Sequence, residues 1–143
     1  MAVADDLEAI RQLKARYFRT LDQKDWDGYR AVFTEDVAID VSDDAPDGRF
    51  TGTDAYLAML EPVLGSATTV HRGGQPEIAV DGDTATGIWA MEDRLWFPDG
   101  PSLRGWGWYE ETYRRTDGGW RIASMRLRRH RVELDGTVIF PPG

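Results

Sequence analysis

Three observations predict an α+β fold in which three N-terminal helices pack in the concave face of a strongly curved, mostly antiparallel sheet. Helical periodicity is confined to residues 5–65, alternating segments fill residues 68–140, and Asp-Gly turns join those segments. The first helix opens at Asp5 or Asp6, either of which can cap it, with Glu8 adding negative charge where the helix dipole favours it. Ile10, Leu13, Tyr17 and Leu21 recur every three or four residues, Phe18 widens their stripe, and Asp22 stands at its end. Asp25 reads as the N-cap of a short second helix with Trp26, Tyr29, Val32 and Phe33 on its apolar face, and Glu35 and Asp36 form the turn out. Residues 37–41 alternate as a strand, and the acidic Pro- and Gly-containing segment 42–50 reads as a loop. Thr53 or Asp54 caps a third helix, periodic in Tyr56, Leu57, Leu60 and Leu64. Pro62 should bend or shorten it, and Gly65 ends it.

The remainder reads as strands. Residues 68–71 and 77–80 form a strand with a bulge or bend at Gly73-Gly74. Long strands follow at 84–97, 103–115 and 120–132, separated by turns at 81–83, 98–101 and 117–119. Asp135-Gly136 turns into a short apolar tail at 138–140. Three helices cannot cover both faces of such a sheet, so a homodimer through the sheet is expected, in keeping with the Trp and Arg on the last two long strands.

A length of 143 residues fits one domain spanning 1–143, large enough for a sizeable core with a cavity. Six Trp, five Tyr and five Phe suit a flat, apolar ligand. A net charge of −8 argues against nucleic acid and against an anionic membrane surface. The absence of cysteine excludes a thiolate nucleophile and Cys-ligated metal and fits the cytoplasm. Two isolated histidines offer no zinc spacing, so neither metal nor cofactor is expected. The opening MAVADDLEAIRQL lacks signal-peptide character, and no apolar run approaches membrane-spanning length.

His71 lies on a strand that must face the helices and can exchange a proton near neutrality. A carboxylate such as Asp22 would orient its ring and raise its basicity. Tyr17, on the apolar stripe, can donate to a substrate oxygen as charge develops, as can Tyr56 or Tyr29. Each of these phenols also fits a plain core position. Asp93 alternates with Trp89, Met91 and Leu95, a set that reads as inward and would leave an acid partly desolvated and harder to ionise. Ile88, Ala90, Glu92 and Arg94 read as a mixed outer face, and the spacing leaves the choice between the two faces open. Gly105 and Gly107 signal a bend or the close approach of another group. Trp106 and Trp108, on the face opposite those glycines, either line a pocket for a ring-shaped ligand or pack the dimer interface. His130, among four arginines, reads as solvated or interfacial. Arg121, Arg126, Arg128, Arg129 and Arg131 should pair with acids of this chain or a partner.

From about Leu7 to Val132 the chain resembles the SnoaL-like branch of the nuclear-transport-factor-2-like superfamily. The resemblance rests on the opening LKARYFRTLDQKDWDGYRAVFTEDV, on GTDAYLAML and on the closing DGGWRIASMRL. It implies a cone-shaped α+β barrel. The spacing of Tyr17, Asp22 and His71 is similar to the constellation of scytalone dehydratase and bile-acid dehydratase relatives. Those relatives imply a further polar residue at Asp93 and a basic or hydroxylic one at Ser124, Arg126 or Arg128. The second pocket histidine of scytalone dehydratases has no counterpart in GIWAMEDRLW. Ketosteroid isomerase, a member of the superfamily, works with desolvated carboxylic acids of the kind expected at Asp93.

The expected function is therefore a cofactor-independent lyase or isomerase acting on a small hydrophobic cyclic molecule such as a polyketide, steroid or terpenoid. In that reading Tyr17, Asp22, His71 and Asp93 are catalytic, and Tyr56, Trp89, Met91, Trp106, Trp108 and Ser124 bind substrate. The alternative is a non-catalytic small-ligand-binding or subunit-interaction protein on the same scaffold.

Overall fold

The computed structural model describes residues 3–143. Helices α1 (Val3–Gln23), α2 (Trp26–Arg30) and α3 (Thr53–Leu64) pack against a curved sheet. Its strands are β1 (Phe33–Asp40), β2 (Arg49–Thr51), β3 (Thr68–Asp81), β4 (Thr84–Trp96), β5 (Ser102–Thr116), β6 (Gly119–Leu134) and β7 (Thr137–Phe140). Among the described residues the order is β2-β1-β6-β5-β4-β3, with β7 beside β6. Only β1 and β6 run parallel; the other pairs are antiparallel.

The apolar stripe of α1 is the core of the molecule. Ile10, Leu13, Tyr17 and Leu21 are buried against Tyr29, Phe33, Tyr109 and Met125. Burial of a large apolar side chain is worth roughly 1.5–3 kcal/mol, so this helix is held by packing more than by propensity. Asp25 caps α2 by accepting from the backbone N–H of Gly28 at 3.0 Å. The N-cap of α3 is Gly52 (φ +93°), not Thr53 or Asp54, because the Thr53 hydroxyl is diverted to donate to the Thr34 carbonyl at 3.0 Å. Pro62 lies inside α3 without ending it, and the helix reaches Leu64 before Gly65.

The segment expected as a loop contains β2, whose Phe50 and Arg49 pair with Ile39 and Asp40 of β1. β1 itself begins at Phe33, so Glu35 and Asp36 belong to a strand with a shift between Phe33 and Ala38. β3 is continuous through the expected bulge, which falls between Gly74 and Glu77.

Burial along β4 alternates with Trp89, Met91, Asp93 and Leu95 inward. On β5 the inward residues are Gly105, Gly107, Tyr109, Glu111 and Tyr113. β6 carries two extra residues, Ala123 and His130, where its register against β5 slips. Each extra residue reverses the parity of the strand beyond it. Trp120 and Ile122 face inward, then Met125, Leu127 and Arg129, then Val132. Arg129 is thereby turned into the molecule, and Ser124, Arg126 and Arg128 are turned out of it.

Candidate functional site

A cavity of about 690 Å³ opens between α1, α3, the 41–50 segment and the inner faces of β3 to β7. Its wall is mostly apolar, from Leu21, Leu60, Leu64, Leu95, Leu127 and Val132 to Phe97 and Phe140. The polar groups within it are Tyr17, Tyr56, Tyr109, His71, Asp93 and Arg129, with Asp43, Asp44 and Asp47 on the exposed loop at its edge.

Asp22 stands at the C-terminal end of α1, beside β3. It receives the backbone N–H of His71 at 2.8 Å, the His71 ring at Nδ1 (2.7 Å) and the Thr69 hydroxyl at 3.0 Å. Lys24 in turn donates to the Thr69 hydroxyl at 2.6 Å. Burial alone would raise the Asp22 carboxyl, but the side-chain and backbone bonds from His71, with that from Thr69, outweigh it and hold the group below its ordinary value. In the neutral ring an ionised Asp22 fixes the proton on Nδ1, which makes Nε2 the acceptor. Nε2 lies 4.0 Å from Asp93 Oδ2, on the cavity side of a ring that is 7% exposed.

Asp93 is 3% exposed, desolvated as expected, and is the ion-pair partner of Arg129. Arg129 donates Nη1 to its Oδ1 at 2.8 Å and Nη2 to its Oδ2 at 2.9 Å. The same guanidinium reaches Asp44 through Nε at 2.8 Å and Nη2 at 3.2 Å, and the Arg129 backbone N–H donates to Asp43 at 2.8 Å. One buried arginine thus ties the β1–β2 loop to the sheet. Gly105 makes room for it: a Cβ there would collide with the Arg129 guanidinium and with Asp93 Oδ1.

The phenols form pairs. Tyr17 donates to the Tyr109 hydroxyl at 3.4 Å, and the Tyr29 and Tyr56 hydroxyls lie 2.8 Å apart. Tyr17, Tyr56 and Tyr109 line the cavity; Tyr29 is fully buried behind them. Burial raises the Tyr56 phenol to about 12 and holds Tyr17 and Tyr109 well above the ordinary phenol value, so all three are neutral near pH 7. Beneath Tyr17 and Tyr109 lies the fully buried Lys14, its Nζ 3.5 Å and 3.7 Å from the two ring centroids and 2.6 Å from Glu111 Oε2. Burial pushes the Lys14 ammonium down to about 8, against the opposing pull of Glu111.

Of the expected catalytic residues, Tyr17, His71 and Asp93 line the cavity, and Asp22 sits behind His71 in direct contact with it. Tyr56 also lines it. The other expected substrate-binding residues do not. Trp89 and Met91 face inward but serve the core, Trp89 donating Nε1 to the Tyr113 hydroxyl at 2.9 Å and Met91 lying against Arg129. Trp106 and Trp108 are on the outer face, where Trp108 packs on His130 with ring centroids 5.3 Å apart. Ser124 is also outside, 2.6 Å from the Thr112 hydroxyl, because the extra Ala123 reverses the parity of β6. Arg129 and Tyr109 were not among the expected site residues. The alternation of Gly105, Gly107 and Tyr109 was a usable signal for the second; a bulge that no local pattern marks concealed the first.

Among the described residues, no group of three or more His, Cys, Asp or Glu is arranged to hold a metal ion, and no helix is long and apolar enough to cross a membrane.

A profile of the SnoaL-like domain matches residues 2–126. The Mycobacterium tuberculosis protein Rv2910c is 33% identical over 124 residues, covering 84% of this chain and 82% of its own. FGR4 of Gibberella zeae, named as a probable cyclase, is 26% identical over 90% of this chain and 95% of its own. Among solved structures, a Novosphingobium aromaticivorans protein named as a candidate scytalone dehydratase superposes with a TM-score of 0.82 at 25% identity, covering 91% of this chain and 87% of that one.

Proposed function

The chain belongs to the SnoaL-like domain family, and from that premise we propose that it is a cofactor-independent lyase or isomerase acting on a small hydrophobic cyclic molecule. The observation that carries the reading is the Asp22–His71 pair in the wall of an apolar cavity. The names of the cyclase and scytalone dehydratase relatives support the same reaction class.

In this reading His71 Nε2 removes a proton from a carbon next to an electron-withdrawing group. Asp22 keeps the ring oriented and stabilises the imidazolium that forms. Tyr109 is the donor to the oxygen on which charge develops, with Tyr17 donating to the Tyr109 hydroxyl behind it. The first phenol's proton is directed at the second, which leaves the Tyr109 proton for a ligand. The imidazolium then returns its proton, to a departing hydroxyl in an elimination or to another carbon in an isomerisation. Asp93, held by Arg129, sits beside the imidazolium and favours its charge. The exposed Ile88, Trp96 and Trp108 on the outer sheet face support a homodimer through that face.

The test is a panel of cyclic β-hydroxyketones incubated with the protein in D2O, with water loss and carbon-bound deuterium followed by NMR. His71→Asn should lower the rate about 10²–10⁴-fold, the usual contribution of a positioned base. Native turnover in His71→Asn would sink the assignment. Tight ligand binding with no turnover in the native protein would favour a non-catalytic binder.

A further inference from the structure

Among the described residues the cavity is rich in acceptors and neutral donors, and apart from the His71 ring, which is held by Asp22, its one basic side chain is already paired. Its lining includes four carboxylates, Asp43, Asp44, Asp47 and Asp93, and one guanidinium, Arg129. A guanidinium has five N–H donors. Nε–H goes to Asp44, the two Nη2–H to Asp44 and Asp93, and the two Nη1–H to Asp93 and the Met91 sulfur at 3.7 Å. All five are therefore spent inside the protein. Lys14, the other buried cation, lies under the tyrosine rings and against Glu111 rather than in the lining.

An anionic ligand entering here meets an excess of negative charge at the loop and, below it, a guanidinium already paired and a His71 ring flanked by Asp22 and Asp93. It also sheds its hydration as it enters the apolar wall. A hydroxyl or carbonyl oxygen, by contrast, finds the phenols of Tyr17, Tyr56 and Tyr109. A volume of about 690 Å³ accommodates a fused-ring molecule with its apolar body against Leu60, Leu64, Phe97 and Phe140.

We infer that the site selects an uncharged, oxygenated ring compound and rejects the same skeleton bearing a carboxylate, sulfate or phosphate. The Asp44–Arg129–Asp93 clasp is the device that withholds the lining guanidinium from such groups. This rests on the cavity being the substrate site, as proposed above. Selection of this kind is a difference between two affinities, achieved by repelling the wrong ligand as much as by attracting the right one.

An isosteric pair tests it. Progesterone and 3-oxoandrost-4-ene-17β-carboxylate share a skeleton and differ at the 17-substituent, a methyl ketone in one and a carboxylate in the other. Their dissociation constants are measured by titration calorimetry at pH 7.5 and low salt. The neutral ketone should bind at least tenfold tighter. The gap should narrow in Asp44→Asn, which removes a loop charge and one of the two Asp44 acceptor oxygens that hold the Arg129 guanidinium. Asp47→Asn provides a second charge deletion that leaves the clasp intact, and it should narrow the gap by a smaller factor. Equal or tighter binding of the carboxylate overturns the inference and leaves the cavity reading standing. A gap that both variants leave unchanged overturns the role given to the clasp and the loop. Failure of both probes to bind the native protein overturns the cavity as a site for such molecules.

Discussion

Replacing Lys14 with methionine tests whether a buried cation holds the cavity's phenols in place. Lys14 and Glu111 are both fully buried, 2.6 Å apart, and the ammonium also faces the rings of Tyr17 and Tyr109. Removing one partner of a buried pair costs about 3–5 kcal/mol because the other charge is stranded. Glu111 keeps one donor, the Tyr113 hydroxyl at 2.6 Å, so the lower end of that range applies, about 3 kcal/mol. At about 3 °C per kcal/mol for a chain of this size, Tm should fall by about 10 °C. The double variant Lys14→Met/Glu111→Gln removes both charges and retains an acceptor for Tyr113. It should recover to within about 1 kcal/mol of the native protein, since a neutral replacement of a buried pair is often tolerated. Urea unfolding read by tryptophan fluorescence, with the slope m held constant, measures both. A loss below about 1 kcal/mol in the single variant, or a double variant no more stable than the single, would refute the reasoning.

Arg129→Lys should fail to replace arginine, because a point ammonium cannot serve two carboxylates in a plane. A stability loss of at least about 2 kcal/mol and faster amide exchange across residues 42–48 are expected, and native exchange there would count against the clasp. Gly105→Ala drives a Cβ into the Arg129 guanidinium and Asp93 Oδ1 and should cost about 1–3 kcal/mol in urea unfolding; a neutral effect would show that the pair can move. The Asp22 carboxyl is held below its unfolded value of about 3.9. In the interval between the two values the unfolded chain binds the proton and the folded one does not. The contribution of Asp22 is therefore present above about pH 4 and is lost as pH falls through the lower folded value. Comparing Asp22→Asn with the native protein at pH 6 and pH 3 should show a smaller acid loss in the variant; identical acid sensitivity would contradict the bond to His71.

The helices and the long strands were legible because each depends on local spacing. Ile10, Leu13, Tyr17 and Leu21 declare a helix face, and Trp89, Met91, Asp93 and Leu95 declare one face of β4. The Asp22–His71 contact was legible because an acid at the end of α1 had one histidine to meet on the strand opposite. Arg129 was expected to pair with acids of the chain, as it does, but its place inside the cavity was not legible, and nothing pointed to a buried Lys14. A lysine next to a leucine on an amphipathic helix reads as solvated until its buried acid is found 97 residues later.

What the sequence determined by itself was the element order, the fold class and the two alternating residue sets of β4, all consequences of periods of 3.6 and 2. What only the tertiary structure decided was the parity of β6 and the pairing of buried charges. A single extra residue such as Ala123 has no sequence mark, yet it exchanges the two faces of a strand. It sends Ser124 to the surface and turns Arg129 inward to face Asp93 and Asp44. The partners of a buried charge are long-range neighbours, and their identity is set by where the sheet curves.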